Sequence, residues 1–178
     1  MKQSALVVVL LIYFGLCYPA EAGPKKYPKE TVAGMSNAKT IFLGWVDLSP
    51  ESWSLWGYRN KEEWMSVISD LNLEFQSDCK GQYLAGRTVT AAKNGNDGDA
   101  AGNDLYIRFS NVNIDHDYYG IRLSIQFIDP KTNAEIASIP SRLYYEKRWF
   151  KFQLYMRAAL DDIGRKIQAE VTGAVRKK

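Results

Sequence analysis

Two cysteines and one histidine in 178 residues leave little material for redox, thiol or zinc chemistry. Cys17 lies inside an apolar amino-terminal run. If that run is removed, Cys79 stands alone and an internal disulfide is excluded. Such a domain is held by its apolar core, unlike the disulfide frameworks of small animal secreted proteins. His116 sits between Asp115 and Asp117, but a zinc shell needs further His or Cys ligands, and a turn before a strand accounts for these residues. There is no Gly-x-Ser-x-Gly elbow, and a Cys–His pair would have to recruit Cys79. The carboxylate pairs Asp47 with Glu51 and Asp161 with Asp162 fit a strand end and a solvated helix face without any glycosidase role. No catalytic residue, metal or cofactor is expected, and the chain reads as non-enzymatic.

Excess charge of one sign is also missing. Lys and Arg number 23 against 20 Asp and Glu, a net +3, which is not the dense basic face of a nucleic-acid binder. Basic residues do gather late, at Arg142, Lys147, Arg148, Lys151, Arg157, Arg165, Lys166 and the tail Arg176-Lys177-Lys178. They read as solvated helix faces or as an electrostatic footing on an anionic surface. The one long apolar run, Ala5 to Cys17, falls short of the roughly 18 residues of a membrane span.

That run has another use. Lys2 before it and Ala20-Glu21-Ala22 after it make residues 1–22 a cleavable signal peptide, with the mature chain starting at Gly23. Lipidation of Cys17 would want a small residue before it, and Leu16 is there instead. The protein is therefore expected to be exported, to the periplasm or the outer surface of a bacterial cell. The lone thiol and the lack of an Asn-x-Ser/Thr sequon agree.

Residues 23–38 read as a flexible lead-in, 39–173 as one domain and 174–178 as a basic tail. Lys39 to Leu48 is a continuous β-prone run suited to a central strand covered on both faces. Asn60 and Glu63 form a capping box, and Trp64, Val67, Ile68, Leu71, Phe75 and Cys79 follow on one helical face, with Gly81 as the stop. Cys79 is expected to pack as a small apolar residue. Gln82 to Ala92 returns to strand character, and 93–104 reads as a long hairpin loop without the ligand rhythm of a calcium site. Leu105, Ile107 and Phe109 alternate with polar neighbours, as do Tyr119, Ile121, Leu123, Ile125 and Phe127. Asp129 to Asn133 is a hairpin turn, and Pro140 marks the next strand as an edge or a bulge. Phe152, Met156, Ala159, Leu160, Ile163, Ile167 and Val171 form the apolar stripe of a long final helix. The fold expected is α+β: a single mostly antiparallel sheet of about five strands in the order strand-helix-strands-helix, with the helices packed on it.

The least ordinary local feature is the aromatic loop of residues 45–64, with Trp45, Trp53, Trp56, Tyr58 and Trp64. Trp45 and Trp64 suit the core. Trp53, Trp56 and Tyr58 are the candidate partner-binding residues, since exposed aromatics concentrate binding energy.

Two resemblances follow from these residues. Gln82-Tyr-Leu-Ala-Gly86 resembles the Gln-x-Val-x-Gly hairpin of cystatin-type protease inhibitors, although here it follows the helix directly, where that family places a strand first. Lys39-Thr-Ile-Phe-Leu-Gly-Trp-Val-Asp-Leu48 and Ile125-Gln-Phe-Ile-Asp-Pro-Lys-Thr-Asn-Ala-Glu-Ile136 resemble small envelope proteins of bacteria. These include lipoprotein activators of penicillin-binding proteins and the amino-terminal domain of the Tol translocation protein. In that group the hairpin commonly reads Asp-x-x-Thr-Gly, and Asn133 stands here in place of the Gly. This resemblance implies a non-enzymatic module that binds an envelope protein partner. The alternative from the aromatic loop is a secreted enzyme or carbohydrate-binding protein.

Overall fold

The computed structural model describes residues 34–48, 57–93, 100–115, 120–144 and 152–173. Residues 1–22, Trp53, Trp56, His116 and the tail 174–178 lie outside these segments. Five strands form one sheet: β1 (Thr40–Leu43), β2 (Thr88–Ala91), β3 (Leu105–Asp115), β4 (Gly120–Asp129) and β5 (Ala134–Tyr144). Their spatial order is β2-β1-β3-β4-β5. Two long helices, α1 (Lys61–Asp78) and α2 (Phe152–Thr172), share one core with the inward residues of the sheet. This is the expected α+β fold, and most of the ladder, between β3, β4 and β5, is antiparallel.

The departure is β1, which pairs parallel with both β2 and β3. A chain that leaves a strand through a helix can re-enter the sheet in the same direction, and α1 provides that return. Residues 93–104 are therefore not a hairpin loop. β2 and β3 flank β1 and run the same way, so the chain between them must cross the sheet. Ala100 packs with Phe42, Ala92, Tyr106 and Ile128, a small cluster on the face opposite the helices. β1 is thereby covered on both sides, as its continuous apolar run requires: Ile41 and Leu43 face the main core, Phe42 the second cluster.

α1 begins where the capping box predicts. The Glu63 N–H donates to Asn60 Oδ1 at 2.8 Å, and Glu62 and Glu63 place negative charge in the first turn, where the helix dipole favours it. Trp64, Ile68, Leu71 and Phe75 are buried along the predicted face. Its end differs from expectation. The chain runs through Gly81 in a π-helical turn, Cys79–Tyr83, closed by the Leu84 N–H donating to Cys79 O at 2.8 Å. The left-handed glycine that redirects the chain is Gly86, at φ 85°. β2 consequently starts only at Thr88, and Gln82 to Gly86 forms the helix exit and a turn, with Tyr83 and Leu84 buried, in place of a hairpin.

The alternation in β4 is borne out: Ile121, Leu123, Ile125 and Phe127 face the core while Arg122, Ser124 and Gln126 face out. In the following turn Asp129 accepts the Lys131 N–H at 2.9 Å and the Thr132 hydroxyl at 2.9 Å. Asn133 takes the left-handed conformation, φ 56°, which asparagine tolerates best after glycine. β5 is an edge strand, so Pro140 sits where a missing N–H costs least. Residues 34–37 form a helical turn, and Met35 and Ala38 are buried in the core, so the packed domain takes in the end of the expected lead-in. The Arg87 guanidinium donates to Ala38 O at 3.1 Å, Ser36 O at 3.3 Å and Val171 O at 3.4 Å, tying that turn to β2 and to the end of α2.

Candidate functional site

The aromatic loop is where sequence places a binding surface, and the structure fixes both of its ends. Its entry is held by Asn72, which is fully buried on α1. The Val46 N–H donates to Asn72 Oδ1 at 2.9 Å, and Asn72 Nδ2 donates to Val46 O at 3.0 Å and to Ile68 O at 3.1 Å. One side chain thus mimics a strand partner for Val46 and satisfies a buried peptide. Four residues on, Gln76 Nε2 donates to Ala92 O at 2.8 Å and holds the end of β2 in the same way. The two amides come from one helix and clamp the carboxyl ends of two adjacent parallel strands.

The loop's exit is held by the start of α1. The Arg59 N–H donates to Glu63 Oε2 at 3.0 Å, and the rings of Tyr58 and buried Trp64 lie 5.0 Å apart at 58°. Burial raises the Tyr58 phenol above its ordinary pKa, while a hydrogen bond with Gln153 opposes the shift. Gln153 belongs to the first turn of α2, so both long helices begin at this end of the domain. Of the three candidate partner-binding residues, Tyr58 is placed here, half-buried; Trp53 and Trp56 lie between the two anchored stems, outside the described residues. Trp64 fills the core as expected, and Trp45 is half-buried against both clusters.

Cys79, Asp104, Asp161 and Asp162 take part in packing and structural contacts. Cys79 is fully buried, and burial pushes its thiol well above the ordinary range, which disfavours the reactive thiolate. Cys79→Ser should lower stability by about 1–3 kcal/mol, because a hydroxyl replaces sulfur in an apolar site. A denaturant titration checks this, and an unchanged midpoint would contradict the packing. Asp104, at the end of the 93–104 segment, accepts the N–H groups of Lys39 at 2.9 Å and Thr40 at 3.0 Å, which holds its carboxyl below the usual range. Its carboxylate caps β1.

Asp161 and Asp162 are both engaged. Asp161 accepts the Tyr83 hydroxyl and, at 2.9 Å, Arg165 Nε, and these bonds hold its pKa low. The Tyr83 phenol, desolvated and bonded to that carboxylate, is pushed up to about 12. Asp162 Oδ2 lies 2.7 Å from Lys166 Nζ, which also donates to Ser141 Oγ at 3.1 Å. Ser141 is 3% exposed, and the trio ties α2 to the edge strand. Between the helices, Leu71, Glu74, Phe75, Asp78, Arg157, Leu160 and Asp161 line a hollow of about 30 Å³, bridged by Arg157 Nε to Glu74 Oε2 at 2.8 Å. That is room for about one water and no substrate. No group of three or more metal-ligating side chains occurs among the described residues.

Sequence reading missed Asn72 and Gln76. Their signal was present: two amides at i and i+4 lie beside the apolar residues Ile68, Leu71 and Phe75, where a solvated polar residue is not expected.

No family model and no curated protein matches the sequence. Among solved structures the chain is similar to a "putative neuraminyllactose-binding hemagglutinin homolog" from Helicobacter pylori. The identity is 15% over 90% of this chain and 92% of that one, with a TM-score of 0.35.

Proposed function

We propose that the chain is an exported, non-enzymatic interaction module of the bacterial cell envelope, which holds a protein partner through the loop carrying Trp53, Trp56 and Tyr58. The supporting observation is the anchoring of both loop stems: Val46 is clamped by Asn72, and Tyr58 is packed on Trp64. Anchored stems lower the ordering cost of binding. The exported setting rests on the leader pattern of residues 1–22, and the envelope setting on the resemblance of β1 and the β4–β5 hairpin. The basic tail 174–178 would add an electrostatic footing on an anionic surface.

Affinity capture from the native envelope tests this reading. The unaltered protein should retain a partner identified by mass, and Trp53→Ala with Trp56→Ala should reduce its recovery by at least about tenfold, as loss of central aromatic anchors does. Equal recovery would sink the assignment. A glycan retained in place of a protein would move the reading to the carbohydrate-binding alternative.

A further inference from the structure

The two edges of the sheet are β2 and β5. An edge strand leaves backbone N–H and C=O groups without a ladder partner, and folded proteins blunt such edges with proline, bulges, charge or short length. β5 has three of these. Pro140 lacks a donor, the extra residue Ile136 breaks the register, and Glu135 and Arg142 are charged and exposed. β2, Thr88-Val-Thr-Ala91, has only its short length.

The ladder to β1 determines which groups of β2 are left over. The Thr88 N–H donates to Lys39 O at 2.9 Å and the Ala92 N–H to Leu43 O at 2.8 Å, while Thr88 and Thr90 pair with Thr40 and Phe42. Alternate residues of a parallel strand bond to the same neighbour, so the N–H and C=O of Val89 and Ala91 point away from β1. Among the described residues no group bonds to them. The side chains of Val89 and Ala91 pack against the core yet stay half-buried, so the flank of the core is open here. Thr88 and Thr90 are exposed on the opposite face.

We propose that β2 takes an added strand, an extended segment of a protein partner that pairs with its outer edge. This rests on reading the domain as a partner-binding module and names how the partner is held. Val89 and Ala91 present donors and acceptors about 7 Å apart along one line, the spacing of alternate residues in an extended backbone. Main-chain bonds of this kind give affinity, and alternate side chains give specificity. The added strand would meet Val89 and Ala91 on its inner face and Thr88 and Thr90 on its outer face, so its residues should alternate apolar and polar. β2 also ends beside the proposed loop surface. Ala92 bonds to Leu43, just before the clamped Val46, and Gln76 holds the Ala92 carbonyl next to that clamp. A segment lying along β2 therefore leads toward the aromatic loop.

The test is amide hydrogen exchange of the purified protein, followed residue by residue, with a labelled peptide that alternates Thr and Val between terminal lysines. Saturating peptide should slow exchange at Val89 and Ala91 at least about tenfold and leave Thr88 and Ala92, already bonded to β1, unchanged. Val89→Pro removes an outward donor and no bond to β1. In a variant whose circular dichroism matches the unaltered protein, it should weaken peptide binding, read by fluorescence anisotropy, at least about tenfold. Thr88→Val leaves the backbone in place and should change binding less than about twofold. Should the proline variant not fold, the exchange result decides alone. Exchange unchanged by the peptide, or equal affinity in Val89→Pro, overturns the proposal. So does slow exchange at Val89 and Ala91 without peptide, which would mean that this chain or a second copy already covers the edge. The two readings fail separately. Trp53→Ala with Trp56→Ala should leave peptide binding intact, whereas a native partner retained by Val89→Pro would remove the added strand and leave the loop reading standing.

Discussion

Replacing Gly164 by alanine should lower the thermal midpoint by about 6–12 °C. A Cβ at this position would lie 2.3 Å from ring carbons of Tyr83, far inside van der Waals contact. Tyr83 cannot move freely, because it is 3% exposed and its hydroxyl is bonded to Asp161 one turn earlier on α2. Overpacking of this kind costs about 3 kcal/mol, and each kcal/mol shifts the midpoint of a domain this size by about 2–4 °C. The clash also predicts non-additivity. With Tyr83→Ala already in place, Gly164→Ala should cost almost nothing further. Equal cost in both backgrounds would mean that the ring does not lie over the glycine. The Asp161 carboxyl, held low by Tyr83 and Arg165, adds stability that is present above the ordinary carboxylate pKa and fades as pH falls through the depressed one.

Asn72→Ala should be comparably damaging, by about 3 kcal/mol, for a different reason. Val46 is fully buried, and the substitution leaves its N–H and C=O without the amide that satisfies them. An orphaned buried polar group costs about 1–3 kcal/mol, and here there are two. Chemical denaturation measures the loss. Amide hydrogen exchange should locate it, with protection at Val46 falling before that of β4. Since Asn72 holds the entry to the aromatic loop, partner capture should fall in this variant although Trp53 and Trp56 are intact. Retained capture would show that the loop works without its entry clamp.

Local features of the sequence were a good guide where they determine structure locally. The Asn60–Glu63 cap and the stripe from Trp64 to Phe75 specify α1, the alternation from Ile121 to Phe127 specifies β4, and Pro140 points to an edge. The direction of β1 was not legible, because a run covered on both faces looks the same in either orientation. Nor was the crossover at 93–104: its Gly, Asn and Asp residues suit a hairpin loop and a crossing equally, and the difference lies in which strands flank β1. The stacking of Tyr83 on Gly164 and the clamp of Asn72 on Val46 join residues far apart in the chain. Such contacts leave only the faint signal of a glycine in a helical stripe and amides beside an apolar face. Of the three candidate binding residues, Tyr58 is tied to Trp64 and to α2.

The loop-end surface is tested most directly by site-specific photo-crosslinking in the native envelope. A photoreactive residue replacing Trp53 should capture a discrete protein partner, while the same residue replacing Leu73, exposed on α1, should capture none. A partner crosslinked from Leu73 with Trp53 silent would contradict it and place the contact on the helices.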